Sequence, residues 1–337
     1  MEFAFTDDQL AFRDAVRDLL AKECPPVVVR AAWTNASGRS GDETSDETGG
    51  GAWRALGAMG VLGALVPESA GGLGLTELDV VLLAEETGRA ALPEPFVEHV
   101  FVGAPLAVND HPGVVSGEVT VTAGDPLIPW AVSADVVVRL DPDPVIALSA
   151  NGKFDAESSV DGARRLARLV DVTDSRPLAR EEVSRAFWRG NLGYSAQLLG
   201  LSRNMLDMTV AYTMDRKQFG APIGSFQAIK HQLANVRIGI EFAAPLVYRA
   251  AHSLATGAPD ASVHVSMAKA QTADVAKFAA RAALQCHGAI GYSYEYDLHL
   301  WMKRAWAVAG AWGDAAWHRE RVACAILDVK SSSEEQK

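Results

Sequence analysis

Cysteine is scarce: Cys24, Cys286 and Cys324 are the only three in 337 residues, and none of them sits in a CxxC or Cys/His zinc spacing. An odd number of isolated thiols without a secretory leader argues against a disulfide framework or a structural zinc and points to reduced thiols in cytosol. Positive charge is short as well. Lys plus Arg number 31 against 42 Asp plus Glu, a net charge of −11. That balance excludes a nucleic-acid groove or an anionic membrane surface as partner for the whole molecule, because clustered Lys and Arg hold such partners. No window approaches 18 uninterrupted apolar residues, and Met1-Glu2-Phe3-Ala4-Phe5-Thr6-Asp7-Asp8 lacks the basic start and apolar run of a signal peptide. A soluble, cytoplasmic protein with small-molecule and protein partners, and no bound metal, is expected.

What is present is ordinary globular material, 49% hydrophobic and 22% charged, enough for two or three packed units. Thr6 followed by Asp7 and Asp8 makes a good N-cap with acidic residues at the positive end of a helix dipole. Leu10, Phe12, Val16, Leu19 and Leu20 then recur on one face. Residues 34–51 are polar and glycine-rich, the composition of a mobile loop. The run 53–75 predicts a short helix, a turn at Pro67 and a glycine loop, and 76–92 predicts another apolar-faced helix. Near residue 116 the pattern changes: EVTVTAG, ADVVVRL and PVIALS are β-branched runs bounded by Gly, Asp and Pro, which predicts short strands. From Glu181 to Arg216 helical periodicity runs without proline, roughly 50 Å of helix at about 1.5 Å per residue. Further helical stretches at about 225–256, 260–289 and 295–328 complete an antiparallel four-helix bundle. The expected fold is mainly α with a small β domain: helical over 1–115, β over 116–180, and a C-terminal four-helix bundle over 181–337.

Within the bundle the stretch DRKQFGAPIGSFQAIKHQLA, residues 215–234, interrupts two helical patterns with Gly220, Pro222 and Gly224, so its middle cannot be helix. Together with MEFAFTDDQLAFRDAVRDLL at the start, VLGALVPESAGGLGL and LLAEETGRAALPEP in the first domain, and QCHGAIGYSYEY in the bundle, this resembles the acyl-CoA dehydrogenase family over nearly the whole chain. The resemblance implies an N-terminal helical domain, a middle β domain and a C-terminal bundle. It also implies FAD lying across a subunit interface, with one subunit's β domain holding the isoalloxazine ring and its neighbour's bundle holding the pyrophosphate and adenosine. On that reading Arg216 supplies a planar cation for a pyrophosphate, Phe219 and Phe226 pack beside it, and Gln227 caps the turn and bonds the cofactor. The segment Gln285-Cys286-His287-Gly288-Ala289 adds an amide and a close-approaching backbone. Residue types alone allow a plainer reading: Arg216 pairing with a surface carboxylate, Phe219 and Phe226 filling the turn, Gln285 capping a helix and His287 hydrogen-bonded in a structural role.

The chain departs from the family where the chemistry is done. Relatives remove the substrate's α proton with a glutamate from one of two places; the matching positions here are Trp312, before Gly313 and Asp314, and Gly190 on the first bundle helix. An indole donates a hydrogen bond but takes no proton, and glycine has no side chain. The loop that cradles the isoalloxazine in relatives also has no counterpart between VTVTAGDPLIPWAVSADVVVRL and the bundle. Asp314, Glu181, Glu182 or Glu241 could replace the base if buried in a dry cleft, although each also reads as a solvated helix residue. Trp301, Trp306, Trp312 and Trp317 read as packing surfaces.

Losing base and ring cradle together, while keeping the half that serves a neighbour's cofactor, implies a non-catalytic subunit. The expected partner is a homologous catalytic acyl-CoA dehydrogenase subunit, in a heterotetramer with one shared FAD per unlike pair. The expected substrate is an acyl-CoA, with a sterol side-chain CoA preferred, and the expected electron acceptor resembles electron-transfer flavoprotein. The alternatives are a homotetrameric enzyme with an unconventional base and a non-enzymatic helical interaction protein.

Overall fold

In the computed structural model, which describes residues 4–34, 50–124, 126–141 and 144–327, Thr6 starts α1 (Asp7–Glu23) with a reciprocal cap. Gln9 N–H donates to Thr6 Oγ1 at 3.2 Å and Thr6 N–H donates to Gln9 Oε1 at 2.9 Å. Val16 and Leu20 are the buried residues of this helix, and Leu10, Phe12 and Leu19 pack beside them. The stretch read as a mobile loop over 34–51 lies, apart from its ends, outside the described residues. α2 (Pro26–Thr34) and α3 (Gly51–Ala58) flank it, two single helical turns bracket Pro67, and α4 (Glu77–Arg89) follows.

A fully buried π-helical segment, Val97–Gly103, runs into α5 (Ala104–Ala107). His99 ties it to what comes next. Its Nδ1 accepts from Val121 N–H at 3.0 Å, which puts the ring proton on Nε2, the donor to Val114 O at 2.8 Å.

The β domain contains β1 (Val121–Gly124), β2 (Leu127–Pro129), β3 (Val136–Arg139), β4 (Val145–Leu148), β5 (Gly152–Glu157), β6 (Leu166–Val172) and β7 (Arg176–Pro177). One sheet has the order β1-β3-β4-β7 and the other β2-β6-β5. β1 and β3 pair in parallel with Val121 opposite Val136, and the remaining pairs are antiparallel. Ile128, Ala131, Val137, Ala167 and Leu169 form a small core between the sheets.

α6 (Arg180–Asp215) leaves the β domain and, at 36 residues, packs against α4, the π-helical segment and the later bundle helices. Small residues set its approach to α4: a Cβ at Gly200 would lie 1.9 Å from Glu85 O, so only glycine allows this backbone contact. A hairpin of β8 (Lys217–Gln218) and β9 (Ala221–Pro222) links it to α7 (Gln227–Ala255), followed by α8 (Ala261–His287).

The last helical stretch, expected unbroken over 295–328, is two helices, α9 (Leu298–Gly310) and α10 (Ala315–Leu327). Between them Trp312 and Gly313 both hold positive φ, +55° and +98°. A left-handed tryptophan is costly in isolation; buried contacts described below hold it. Among the described residues no helix is long and apolar enough to cross a membrane.

Candidate functional site

Two groups of residues matter, and they lie toward opposite ends of α6. Gly190 is near its start and Arg216 just past its end, roughly 40 Å apart at about 1.5 Å per residue. They do not form one site within this chain.

At the far end, Arg216 N–H closes α6 onto Tyr212 O at 2.9 Å, and Arg216 O accepts from Ile223 N–H at 2.8 Å, which fixes the hairpin against the helix. The two-residue turn is Phe219-Gly220, with φ of +52° and +80°. Such a turn suits a hairpin, but a glycine or asparagine normally takes the first place. Phe219 is 93% exposed, in edge contact only with Phe226 at 6.3 Å between ring centroids. It does not fill the turn. Arg216 is exposed and has no ion pair among the described residues. Gln227 is exposed too, and it does not cap: the N-cap position of α7 is Phe226, with no side-chain hydrogen bond. The expectation that Gln227 caps the turn is corrected, because α7 begins with Gln227 itself as its first residue.

The second segment reaches the same end of the bundle through Tyr212. His287 stacks on Tyr212 at 4.2 Å and 22°, donates from Nδ1 to Ala283 O at 2.8 Å, and packs against Tyr296. Burial holds its pKa below the ordinary histidine value. Cys286 and His287 point inward, and burial also raises the Cys286 thiol. Gln285, Gly288 and Ala289 are exposed, and a Cβ at Gly288, where φ is +67°, would meet nothing within 4 Å. A rim of Arg216, Phe219, Gln227, Gln285 and the Gly288-Ala289 backbone is thus exposed to solvent. Cys286 and His287 are buried, and His287 Nε2 has no hydrogen-bond partner among the described residues.

Near the start of α6 the arrangement is closed. A Cβ at Gly190 would lie 1.5 Å from Trp312 Cζ3, so the indole rests directly on the bare helix backbone. Phe187 stacks on that indole at 6.2 Å and 15°, and Tyr194 meets it edge-on at 5.4 Å. Trp312 is 5% exposed and its Nε1 has no partner. Lys269 on α8, fully buried, holds the loop from behind by donating to Ala309 O (3.2 Å), Ala311 O (3.0 Å) and Gly313 O (3.1 Å). These are carbonyls released where α9 ends, and a cation at that negative pole is favourable. Burial first, then Lys277 and Arg164, pulls the Lys269 pKa down to about 7. The three acceptors oppose this, since only the ammonium can donate three hydrogen bonds. Nothing in the sequence singled out Lys269; its one trace is a lone cation between the buried Ala268 and Ala270.

The carboxylates considered as substitutes have other work. Asp314 Oδ1 accepts from Trp317 N–H at 2.8 Å and so caps α10. Glu182 accepts from Ala179 N–H at 2.8 Å and faces Arg176 at 3.7 Å. Glu241 pairs with Arg203 at 3.0 Å and Arg237 at 2.9 Å, and Glu181 is exposed. Trp301 is 4% exposed and donates to Arg89 O at 2.9 Å, Trp317 is half-buried, and Trp306 is 39% exposed.

A buried network also joins the β domain to the bundle. Asp161 binds Arg304, which donates to Leu92 O at 2.7 Å; Arg164 donates to the Tyr194 hydroxyl at 2.8 Å, and that hydroxyl bonds Glu98. Trp130 lies over Arg304 with the guanidinium carbon 5.9 Å from its ring centre. Burial raises the Glu98 pKa, against the pull of Arg164 and Tyr194. Among the described residues no three His, Cys, Asp or Glu side chains are placed to hold a metal.

Residues 6–108 match the family described as acyl-CoA dehydrogenase, N-terminal domain, and residues 182–327 match its C-terminal domain. Acyl-CoA dehydrogenase IpdE2 of Mycobacterium tuberculosis is 30% identical over 308 residues, covering 89% of this chain and 91% of that protein. IpdE2 of Mycolicibacterium smegmatis is 28% identical over 323 residues, covering 89% and 93%. Among solved structures, a chain of the ChsE4-ChsE5 complex from Mycobacterium tuberculosis has the same fold, with TM-score 0.82 and 19% identity over 98% of this chain and 100% of that one. A chain of the Tcur3481-Tcur3483 steroid ACAD follows at 0.80 and 22%, over 96% and 98%.

Proposed function

The chain belongs to the acyl-CoA dehydrogenase family, and we propose that within it the chain is a non-catalytic subunit that lends one half of an FAD site to a homologous partner. FAD is the family's cofactor; bound, it would supply the acceptor for the β hydride of an acyl-CoA thioester whose α proton a carboxylate removes. In this proposal the partner supplies that carboxylate and the cradle of the ring, and this chain supplies the grip on the pyrophosphate and adenosine.

What carries the proposal is the contact between Trp312 and Gly190. The two positions that the family resemblance assigns to the base meet in space, and an indole packed on a bare helix fills them both. Neither can accept a proton. Of the carboxylates considered as substitutes, Asp314 and Glu182 serve caps, Glu241 is ion-paired and Glu181 is exposed, which disfavours an unconventional base.

The other end supports the complementary half. An exposed guanidinium with no ion pair among the described residues, a strained exposed phenyl ring and an open glycine backbone suit an anionic, partly aromatic ligand. The residues present fit the far part of FAD and not its ring end. The Asp161–Arg304 and Arg164–Tyr194–Glu98 contacts join the β domain to the bundle. Two-protein relatives such as ChsE4-ChsE5 and the steroid ACAD Tcur3481-Tcur3483 support a complex of unlike subunits acting on a bulky CoA thioester, with a steroid CoA as the substrate class.

Absorbance spectra test this. The chain purified alone should be colourless, and the chain co-expressed with its catalytic partner should be yellow and dehydrogenate acyl-CoA. Arg216→Ala should lower the flavin retained by the complex, since removing one member of a desolvated charge pair costs roughly 2–5 kcal/mol. A lone chain that is yellow and turns over acyl-CoA would overturn the proposal.

A further inference from the structure

We propose that the cavity between the π-helical segment and the first turns of α6 binds a small organic carboxylate with an apolar body. It has a volume of about 260 Å³, an apolar floor that includes Leu65, Phe101, Val102 and Ala186, and a polar wall of Glu182, Arg185 and Arg189. None of these residues belongs to the rim at the far end of α6.

Charge accounting singles out Arg185. Arg189 is committed, its Nε donating to buried Glu77 at 2.5 Å. Glu182 is committed through both oxygens, one to Ala179 N–H and one to Arg176. Arg185 is the one polar side chain of the wall with no ionic partner among the described residues; even Glu181, one turn earlier on the same helix, is not within ion-pair distance. The two guanidiniums also repel. Burial lowers the Arg189 pKa, Glu77 opposes that, and the Arg185 charge adds to the lowering. The wall thus carries two guanidiniums and the Glu182 carboxylate over an apolar floor, and among the described residues Arg189 has an ion-pair partner while Arg185 has none.

An entering anion supplies the missing charge, and the planar guanidinium fork matches the two coplanar oxygens of a carboxylate. At roughly 25–30 Å³ per heavy atom the volume admits a ligand of about ten heavy atoms, enough for a medium alkyl or aryl acid and too little for a peptide or nucleotide.

Sodium octanoate is the probe, titrated calorimetrically into the full chain, with octan-1-ol as the same body without the charge. Octanoate should bind at least about tenfold more tightly than octanol, which corresponds to about 1.4 kcal/mol. Arg185→Gln, at an exposed position where folding is not at stake, should weaken octanoate about tenfold and leave octanol unchanged. Arg185→Lys should recover part of the loss. Ala186→Phe, which fills the floor, should abolish both. Absence of octanoate binding, equal affinity for octanol, or an unchanged affinity in Arg185→Gln each overturns the assignment. Flavin content of the complex should not respond to Arg185→Gln, so this result stands or falls apart from the subunit proposal.

Discussion

An alanine methyl at position 190 would overlap the Trp312 ring, 1.5 Å from Cζ3, although alanine is the better helix former by roughly 1 kcal/mol. The two effects oppose each other, and magnitude decides. Overpacking of a rigid aromatic costs about 1–3 kcal/mol, so Gly190→Ala should destabilise the protein in urea titrations. With Trp312→Ala already present the clash is gone, and the same Gly190→Ala change should become neutral or stabilising by up to about 1 kcal/mol. Trp312→Ala alone should cost roughly 3–5 kcal/mol as a buried aromatic lost. If Gly190→Ala had the same effect in both backgrounds, the two residues would not be interlocked. The motif count placed both positions; that they touch was not visible in it, because Gly190 and Trp312 are distant in sequence and nothing local encodes their contact.

At the scale of elements, the hairpin between α6 and α7 stands out. Phe219-Gly220 carries positive φ at both positions, and for a non-glycine residue that conformation costs about 1–2 kcal/mol. No burial within this chain offsets it. Phe219→Gly should therefore stabilise the isolated chain by up to about 1 kcal/mol in thermal unfolding, yet reduce the flavin held by the complex if the ring packs against the partner's side of the cofactor. Flavin retention equal to the wild-type complex would remove Phe219 from the binding rim. Gly220, Pro222 and Gly224 made this break legible in the sequence. The break between α9 and α10 was missed although Gly310, Gly313 and Asp314 are stop and cap residues, and what holds it, Lys269 collecting the released carbonyls from another helix, is not local. Strands β5 and β6 escaped notice for a related reason. Their exposed faces bear charges such as Lys153, Asp155, Arg168 and Asp171, which dilute the β-branched pattern.

For the whole molecule, His99 joins the helical layer to the β domain with both ring nitrogens engaged. Protonation would turn Nδ1 into a donor facing the Val121 N–H, and burial pushes the pKa down to about 4. The ordinary value in an unfolded chain is about 6.5. Between these values the unfolded state binds a proton that the native state does not, so stability falls as pH drops from about 6.5 to about 4. One such group accounts for up to roughly 3 kcal/mol. His318, pushed down to about 3 mainly by burial and then by the Lys269 charge, adds in the same direction. Urea midpoints measured across this range should decline with acidity, and His99→Gln should flatten the decline. An unaltered slope in that variant would assign the acid sensitivity elsewhere.

Local chemistry determined much of this protein without any structure. Caps such as Thr6, the β-branched runs of β1, β3 and β4, the proline-free length of α6 and the breakers around Phe219 each act on their immediate neighbours, so residue order is enough to read them. The family motifs were legible for the same reason, being contiguous. Tertiary structure alone decided that an indole seals onto Gly190, that Lys269 holds its loop, that Arg185 faces a cavity without a counter-charge, and that Cys286 and His287 turn inward. Each of these depends on which distant surfaces pack together, and packing overrides local preference wherever burial outweighs the backbone cost.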